Sequence, residues 1–339
     1  MRLLIIGFGT VGQGLAELLI KKSKMLSNLM VEGISVVGIA DMRHGSIYQE
    51  NGIDLQFILD TIKEGKKLNE LPDNFEGDAL QLINHAKADM MVEATYTDIK
   101  TAEPATSHIR AALENGMHVT TMNKGPVALY FHELKQLAKK NGVGFYYEGT
   151  VISGTPLLNL IRETLIGSEI TEIKGILNGT TNYILSQMEV GMDYSEALKK
   201  AQELGYAEAV PDADVLGWDA LAKVTILANA VFGARAKPQD FSCEGITSIS
   251  LQDIARAKCN GKRYKLIGRV WKENGEVRAG VAPQEIDISH PLAGVMGAIN
   301  AITITNDTLG DITIIGPGAG KIETGYSALV DIIYAGGKQ

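Results

Sequence analysis

Short apolar runs alternate with helical spacings through the first half of the chain. Residues 3–6 (LLII) form a compact apolar run, and Leu15, Leu18 and Leu19 then repeat at helical spacing. Further apolar runs at 34–40, 88–94, 118–121 and 144–147 predict strands. Between them, 104–115 and 129–141 predict helices, the first closed by Gly116 as a C-cap. Residues 45–77 are mixed and polar, which predicts short helices over 52–64 and a loop with Pro72. Strands and helices alternating through short connections predict a parallel, doubly wound α/β sheet of Rossmann type over residues 1–148.

The second half changes character. A helix over 156–165, a strand over 170–177 and helices from Asn178, over 195–204 and over 215–227 are followed by a short helix at 248–257. Two strands, 264–271 and 276–283, flank Glu273-Asn274-Gly275, a hairpin turn sequence. Strands at 301–306 and 312–315 complete an α+β domain over 149–315, expected to bind substrate and to dimerise through its sheet. Residues 316–339 carry a last helix, 324–334, expected to return to the first domain.

Composition narrows the classes. A chain of 339 residues with net charge −8 and a pI near 5.4 offers no general attraction for nucleic acid or a membrane surface. No apolar run approaches the ~18–20 residues of a membrane span. The N-terminus enters a strand at once, leaving no room for a signal peptide. Cys243 and Cys259 form no CxxC motif, and the six histidines are scattered, so neither a disulfide framework nor a zinc site is expected. The expected compartment is the cytoplasm.

Gly7-Phe8-Gly9-Thr10-Val11-Gly12 sits between the first strand and the first helix. In that context GxGxxG is the dinucleotide fingerprint: the glycines allow the tight turn and let a pyrophosphate approach N–H groups at a helix start. Asp41 closes the second strand, where an acid hydrogen-bonds the adenosine ribose, although farther along than the ~20 residues usual. Arg43 is either a partner for the 2′-phosphate of NADP or a solvated loop charge, so NAD and NADP both remain open. Thr95 and Asn123-Lys124 lie at predicted strand ends, the edge at which such sheets bind ligand, and are expected to face the nicotinamide half. Gly320 ends a glycine-rich turn, GPGAG, that either touches the cofactor or redirects the last helix.

Residues 203–232 concentrate the second half's chemistry. Glu203, Glu208, Asp212, Asp214 and Asp219 precede or enter a long apolar helix whose interior charges are Asp219 and Lys223, four apart and therefore on one face. Such a pair is either a surface ion pair or, on a helix this apolar, an acid–lysine couple lining a cleft and able to hold and exchange a proton. Asn178-Gly179-Thr180 opens a helix, where N–H groups and a hydroxyl suit a carboxylate ligand or ordinary capping. Glu148, beside an irregular glycine-containing turn, suits a hard cation held by oxygens alone, or marks a turn with a helix cap.

The segments IGFGTVGQGL, EATYTD, TTMNKGP, YEGTVISGTP, ILNGTTNYIL, ELGYAEAVPDADVLGWDALAKVTIL and GPGAG, in this order over nearly the whole chain, resemble the homoserine dehydrogenase family. One departure follows GPGAG, where Lys321-Ile322-Glu323-Thr324 replaces a Pro-Thr-Ala type of helix start. The resemblance implies reversible NAD(P)-dependent reduction of L-aspartate 4-semialdehyde to L-homoserine. It implies Lys223 as proton donor, assisted by Asp219, with Lys124 close to the reacting group. Glu208 and Asp214 would bind substrate, with Gly205, Tyr206, Gly179 and Thr180 nearby. Glu148 with the carbonyls of Val151, Ser153 and Thr155 would hold a sodium ion. Dimers or tetramers of dimers through the second domain are likewise implied.

Overall fold

Leu3, Leu4, Ile5 and Ile6 have apolar neighbours on both faces, which is why so short a run can be a central strand. The computed structural model describes residues 1–337, and they divide into two units: Met1–Gly154 with residues 320–337, and Thr155–Ala319. These divisions fall a few residues after the expected 148/149 and 315/316.

In the first unit β1 (Arg2–Ile6) leads into α1 (Thr10–Lys21) and α2 (Ser23–Leu29). β2 (Ser35–Asp41), β3 (Gly45–Tyr48), α3 (Leu55–Lys63) and α4 (Ala79–His85) follow. Next come β4 (Met90–Glu93), α5 (Ala105–Glu114), β5 (His118–Thr121), α6 (Lys124–Lys140), β6 (Phe145–Tyr146) and α7 (Gly149–Ile152). The sheet order is β3-β2-β1-β4-β5-β6, so the winding reverses between β1 and β4. All pairings are parallel except β2 with β3. That antiparallel edge strand lies in the stretch read as mixed and polar, where no strand was expected: only Ser46 and Ile47 are buried, too short an apolar signal to stand out. α4 is a second element absent from the sequence reading, set by an Asp78 cap and a Gln81 that reaches back to it.

The second unit begins with α8 (Leu158–Thr164), β7 (Ile170–Ile176), α9 (Gly179–Met188), α10 (Tyr194–Glu203), α11 (Asp212–Val215) and α12 (Trp218–Ala230). It continues with β8 (Ser242–Cys243), α13 (Leu251–Cys259), β9 (Lys262–Glu273), β10 (Glu276–Asp287), β11 (Ile299–Asn306) and β12 (Gly310–Pro317). Its sheet runs β12-β11-β7-β9-β10-β8, antiparallel except for β10 with β8. Asn274 and Gly275 both take positive φ, the backbone a two-residue hairpin needs to match strand twist. α12 is buried over most of its length and packs on β9 and β10: a Cβ at Gly268 would press on Val224 of the helix.

The final helix, α14 (Lys321–Gly336), belongs to the first unit. It lies against α1 so closely that a Cβ at Gly14 would collide with the Lys321 carbonyl, and one at Gly325 would sit 2.7 Å from the Leu15 amide nitrogen. Among the described residues, no helix is long and apolar enough to cross a membrane.

Candidate active site

The glycine turn of the first unit is built by close backbone approaches. Gly7 has φ 92°, and a Cβ there would collide with the carbonyl of Ala94; one at Gly12 would collide with the carbonyl of Gly7. Gly9 differs: a Cβ would meet no protein atom within 4 Å. The turn therefore has two glycines fixed by protein packing and one bordering open space. Gly9 caps the twelve-residue α1 with no side-chain cap bond, so N–H groups at Thr10 and Val11 keep the partial positive charge of a helix start. These are the features a pyrophosphate cradle requires.

Asp41 has a role that spacing did not reveal. Its Oδ2 accepts the Phe8 amide at 2.8 Å, and its Oδ1 accepts the amides of Arg43 at 2.8 Å and His44 at 3.1 Å. The carboxylate staples the glycine turn to the end of β2 while retaining acceptor capacity for ribose hydroxyls. Phe8, expected among the cofactor residues, buries its ring in the core, so any contact falls to its backbone. Arg43 is exposed beside Asp41.

At the ends of β4 and β5, Thr95 and Asn123 are locked in place. The Thr95 amide and hydroxyl both donate to Glu93, the amide at 3.0 Å. Asn123 accepts the Gly125 amide at 3.2 Å, capping α6, whose first residue is Lys124, and its Nδ2 donates to the Tyr96 carbonyl at 2.8 Å. Gly320 caps α14 at φ 142°, with the Glu323 carboxylate where a Cβ would go. The unusual start of α14 has partners of its own. Lys321 pairs with Glu17 at 2.6 Å, and Thr324 shares a 2.8 Å hydrogen bond with Ser153.

Glu148 is buried and its amide donates to Asp331 of α14 at 3.3 Å. Val151 and Ser153 are buried too, and Ser153 turns the chain out of α7 at φ 56° and ψ −128°, so carbonyls there leave the helical ladder. Thr155, the first residue of the second unit, donates its hydroxyl to the Pro317 carbonyl at 3.0 Å. A carboxylate with irregular backbone carbonyls is a donor set that suits a hard monovalent cation.

The second unit assembles the acid–lysine cluster. Asp219 and Lys223 of α12 form a 2.8 Å ion pair, with side chains only 15 % and 8 % exposed, so the surface alternative is excluded by burial. The Lys223 ammonium also donates to the Leu177 carbonyl at 2.6 Å, at the end of β7. Asn178 does double duty. Its Oδ1 accepts the Thr181 amide to cap α9, and its Nδ2 donates to Asp214 at 2.7 Å and Asp219 at 3.0 Å. Burial, then the neighbouring Asp219, hold the Asp214 carboxyl above the usual range, against the Asn178 bond and the Lys223 charge. Helix capping was legible at Asn178 from its position; its bridge between two carboxylates was not.

The remaining expected residues divide. Thr180 is buried and donates to the Tyr206 carbonyl at 2.6 Å, tying the α9 start to the loop after α10, where Gly205 turns at φ 75° and the Tyr206 ring lies 5.0 Å from Tyr183. Gly179 is half-buried beside Ala298. Glu208 stands outside the cluster: it is exposed, and its backbone carbonyl accepts from Gln202 at 3.1 Å. Residues 209–211 separate it from α11, so the bonds that gather Asp214 do not draw it in. Among the described residues, no cluster of His, Cys, Asp and Glu suits a metal.

Two family models match the chain: "Homoserine dehydrogenase, NAD binding domain" over residues 7–148 and "Homoserine dehydrogenase" over 156–333. The chain is 43 % identical over 336 residues to the NAD(+)-dependent homoserine dehydrogenase of Pseudomonas canavaninivorans, covering 98 % of this chain and 95 % of that one. It is 39 % identical over 336 residues to homoserine dehydrogenase of Methanocaldococcus jannaschii, covering 98 % of each. A solved hyperthermophilic archaeal homoserine dehydrogenase in complex with NADPH superimposes with a TM-score of 0.83 at 31 % identity, covering 98 % of this chain and 97 % of that one.

Proposed function

From the premise that this chain belongs to the homoserine dehydrogenase family, and so is an NAD(P)-dependent oxidoreductase that interconverts L-aspartate 4-semialdehyde and L-homoserine, we propose how its residues divide the work. When bound, the nicotinamide supplies or accepts the hydride. What the protein must then do is manage one proton and one small zwitterion.

Lys223 is the general acid toward the semialdehyde and receives the hydroxyl proton in the reverse direction. The observation that carries this reading is the buried Lys223–Asp219 pair anchored on the Leu177 carbonyl. An ammonium held by a carboxylate and a carbonyl has a fixed direction, and an oxyanion formed beside it gains charge stabilisation and then a proton. Asp214 binds the substrate α-ammonium, a role supported by a carboxylate that burial and Asp219 make eager for a cation. The start of α9, at Gly179 and Thr180, receives the substrate carboxylate, supported by its helix N–H groups. Lys124 serves the nicotinamide half, a role supported by its position at the head of α6, directly after the end of β5.

The cofactor cradle is Gly7 to Gly12, with Asp41 on the adenosine ribose. Arg43 serves the 2′-phosphate if NADP is used, and Thr95, Asn123 and Gly320 complete the set. Glu148 and the carbonyls of Val151, Ser153 and Thr155 would hold a sodium ion, a structural charge that ties α7 down. The working form is a homodimer built on the second unit: β12 is an edge strand with Ile315 well exposed, and an unpaired edge favours a second copy. The proposed compartment is the cytoplasm, where thiols such as those of Cys243 and Cys259 stay reduced.

The test mixes the purified protein with L-homoserine and NAD or NADP at alkaline pH and follows reduced-nicotinamide absorbance. A substrate-dependent rise is expected, and the faster cofactor assigns Arg43. A folded, cofactor-binding sample with no rise would refute the assignment.

A further inference from the structure

Glu93 is the last residue of β4, and its side chain is fully buried. An isolated carboxyl in that position would be costly, and burial indeed pushes its pKa up. Three donors converge on it from two strand ends. Oε1 accepts both the amide and the hydroxyl of Thr95, and Oε2 accepts the Thr121 hydroxyl of β5 at 2.9 Å. The network continues. The Thr121 hydroxyl accepts the Asn123 amide at 3.0 Å, and Asn123 caps α6 and bonds Tyr96 across the gap. One carboxylate thus ties the loop after β4 to the loop after β5, and Lys124 follows directly on the second.

We propose that Glu93 is a positioning residue for the nicotinamide end of the site, holding Thr95 and, through Thr121 and Asn123, setting the direction of Lys124. The inference rests on the reading that Thr95, Asn123 and Lys124 serve that end. A purely apolar residue at 93 would pack the core equally well but would leave Thr95 and Thr121 without a common acceptor, and the two loops would move independently. Displacement of a reacting or orienting group by about 1 Å is enough to cost ~10²-fold in rate.

Glu93→Gln tests it, because the volume is kept while Oε2 becomes a donor facing a hydroxyl that already accepts from Asn123. Turnover with saturating L-homoserine and NAD(P) should fall roughly 10–100-fold. Affinity for ADP (2′,5′-ADP if NADP is the faster cofactor), which probes only the adenosine half, should stay within about twofold. Thr121→Val should cost turnover by itself, and the double variant should lose no more than the worse single, as one network requires. Wild-type turnover in Glu93→Gln overturns the inference. So does a parallel loss of turnover and ADP affinity, which marks a merely structural residue. Losses that multiply in the double variant also overturn it. Lys124→Ala separates this from the underlying reading: normal turnover there refutes the placement of Lys124 itself. Impaired Lys124→Ala beside normal Glu93→Gln refutes only the role of Glu93.

Discussion

Replacing Lys223 by methionine keeps most of the side-chain volume and removes the ammonium. Two effects follow, and the structure separates them. Loss of a general acid costs 10²–10⁴-fold in kcat, about 2.7–5.4 kcal/mol at 1.36 kcal/mol per decade. Independently, Asp219 is stranded: its partner at 2.8 Å is gone, Asn178 still bonds it, and Asp214 shares the same amide. Breaking a buried pair from one side costs about 3 kcal/mol of stability. Lys223→Met should therefore be both slow and less stable. Adding Asp219→Asn removes the stranded charge, and the pair variant should regain most of the lost melting temperature with no gain in kcat. The assay is reduced-nicotinamide absorbance with L-homoserine beside thermal melts by circular dichroism, with cofactor affinity from fluorescence titration. Cofactor affinity should be unchanged in both. A pair variant that regains stability and turns over within about tenfold of wild type would show that Lys223 is structural, and the proton would have to come from elsewhere.

Asp214→Asn should raise KM for L-homoserine roughly 10–100-fold, the worth of a charged hydrogen bond. Because burial and Asp219 raise the folded-state pKa of Asp214, the carboxyl costs stability once pH rises through that pKa. The asparagine variant should lack that loss, as melts at acid and neutral pH would reveal, and a wild-type pH dependence in the variant would contradict the burial argument. Lys265 is fully buried against Asn182 and the Val295 carbonyl, and burial pulls its pKa down to about 8 from 10.5. The unfolded chain then holds this proton longer than the folded one, so stability should rise between pH 8 and 10.5, by about 3 kcal/mol. Urea titrations across that range should show the rise in the wild type and not in Lys265→Met; parallel curves would remove Lys265 as the cause. Gly9→Ala and Gly12→Ala add the same methyl group to different surroundings. The first should leave the melting temperature unchanged and weaken NAD(P) binding by about tenfold or more, while the second should destabilise the first unit itself. Equal effects on stability would contradict the open space at Gly9.

What the sequence determined by itself is what depends on neighbours along the chain. GFGTVG between an apolar run and a helical spacing specified a strand, a turn and a helix start, because only glycine tolerates the backbone approaches at Gly7 and Gly12. Asn274-Gly275 specified its hairpin for the same local reason, positive φ at both positions. Asp219 and Lys223 were legible as a couple because four residues make one helical turn. Tertiary structure alone decided which groups meet across elements. Asp41 staples the Phe8 amide from the next strand, and Asn178 bridges Asp214 and Asp219 from another helix. Glu93 reads in sequence as an ordinary strand end, and its bond from the Thr121 hydroxyl exists only once β4 and β5 lie side by side. The antiparallel β3 belongs to the same class, since four residues with weak alternation become a strand only when β2 offers its edge. A side chain's own chemistry is written in the sequence, but its electrostatic environment is set by partners that the chain path brings from far away.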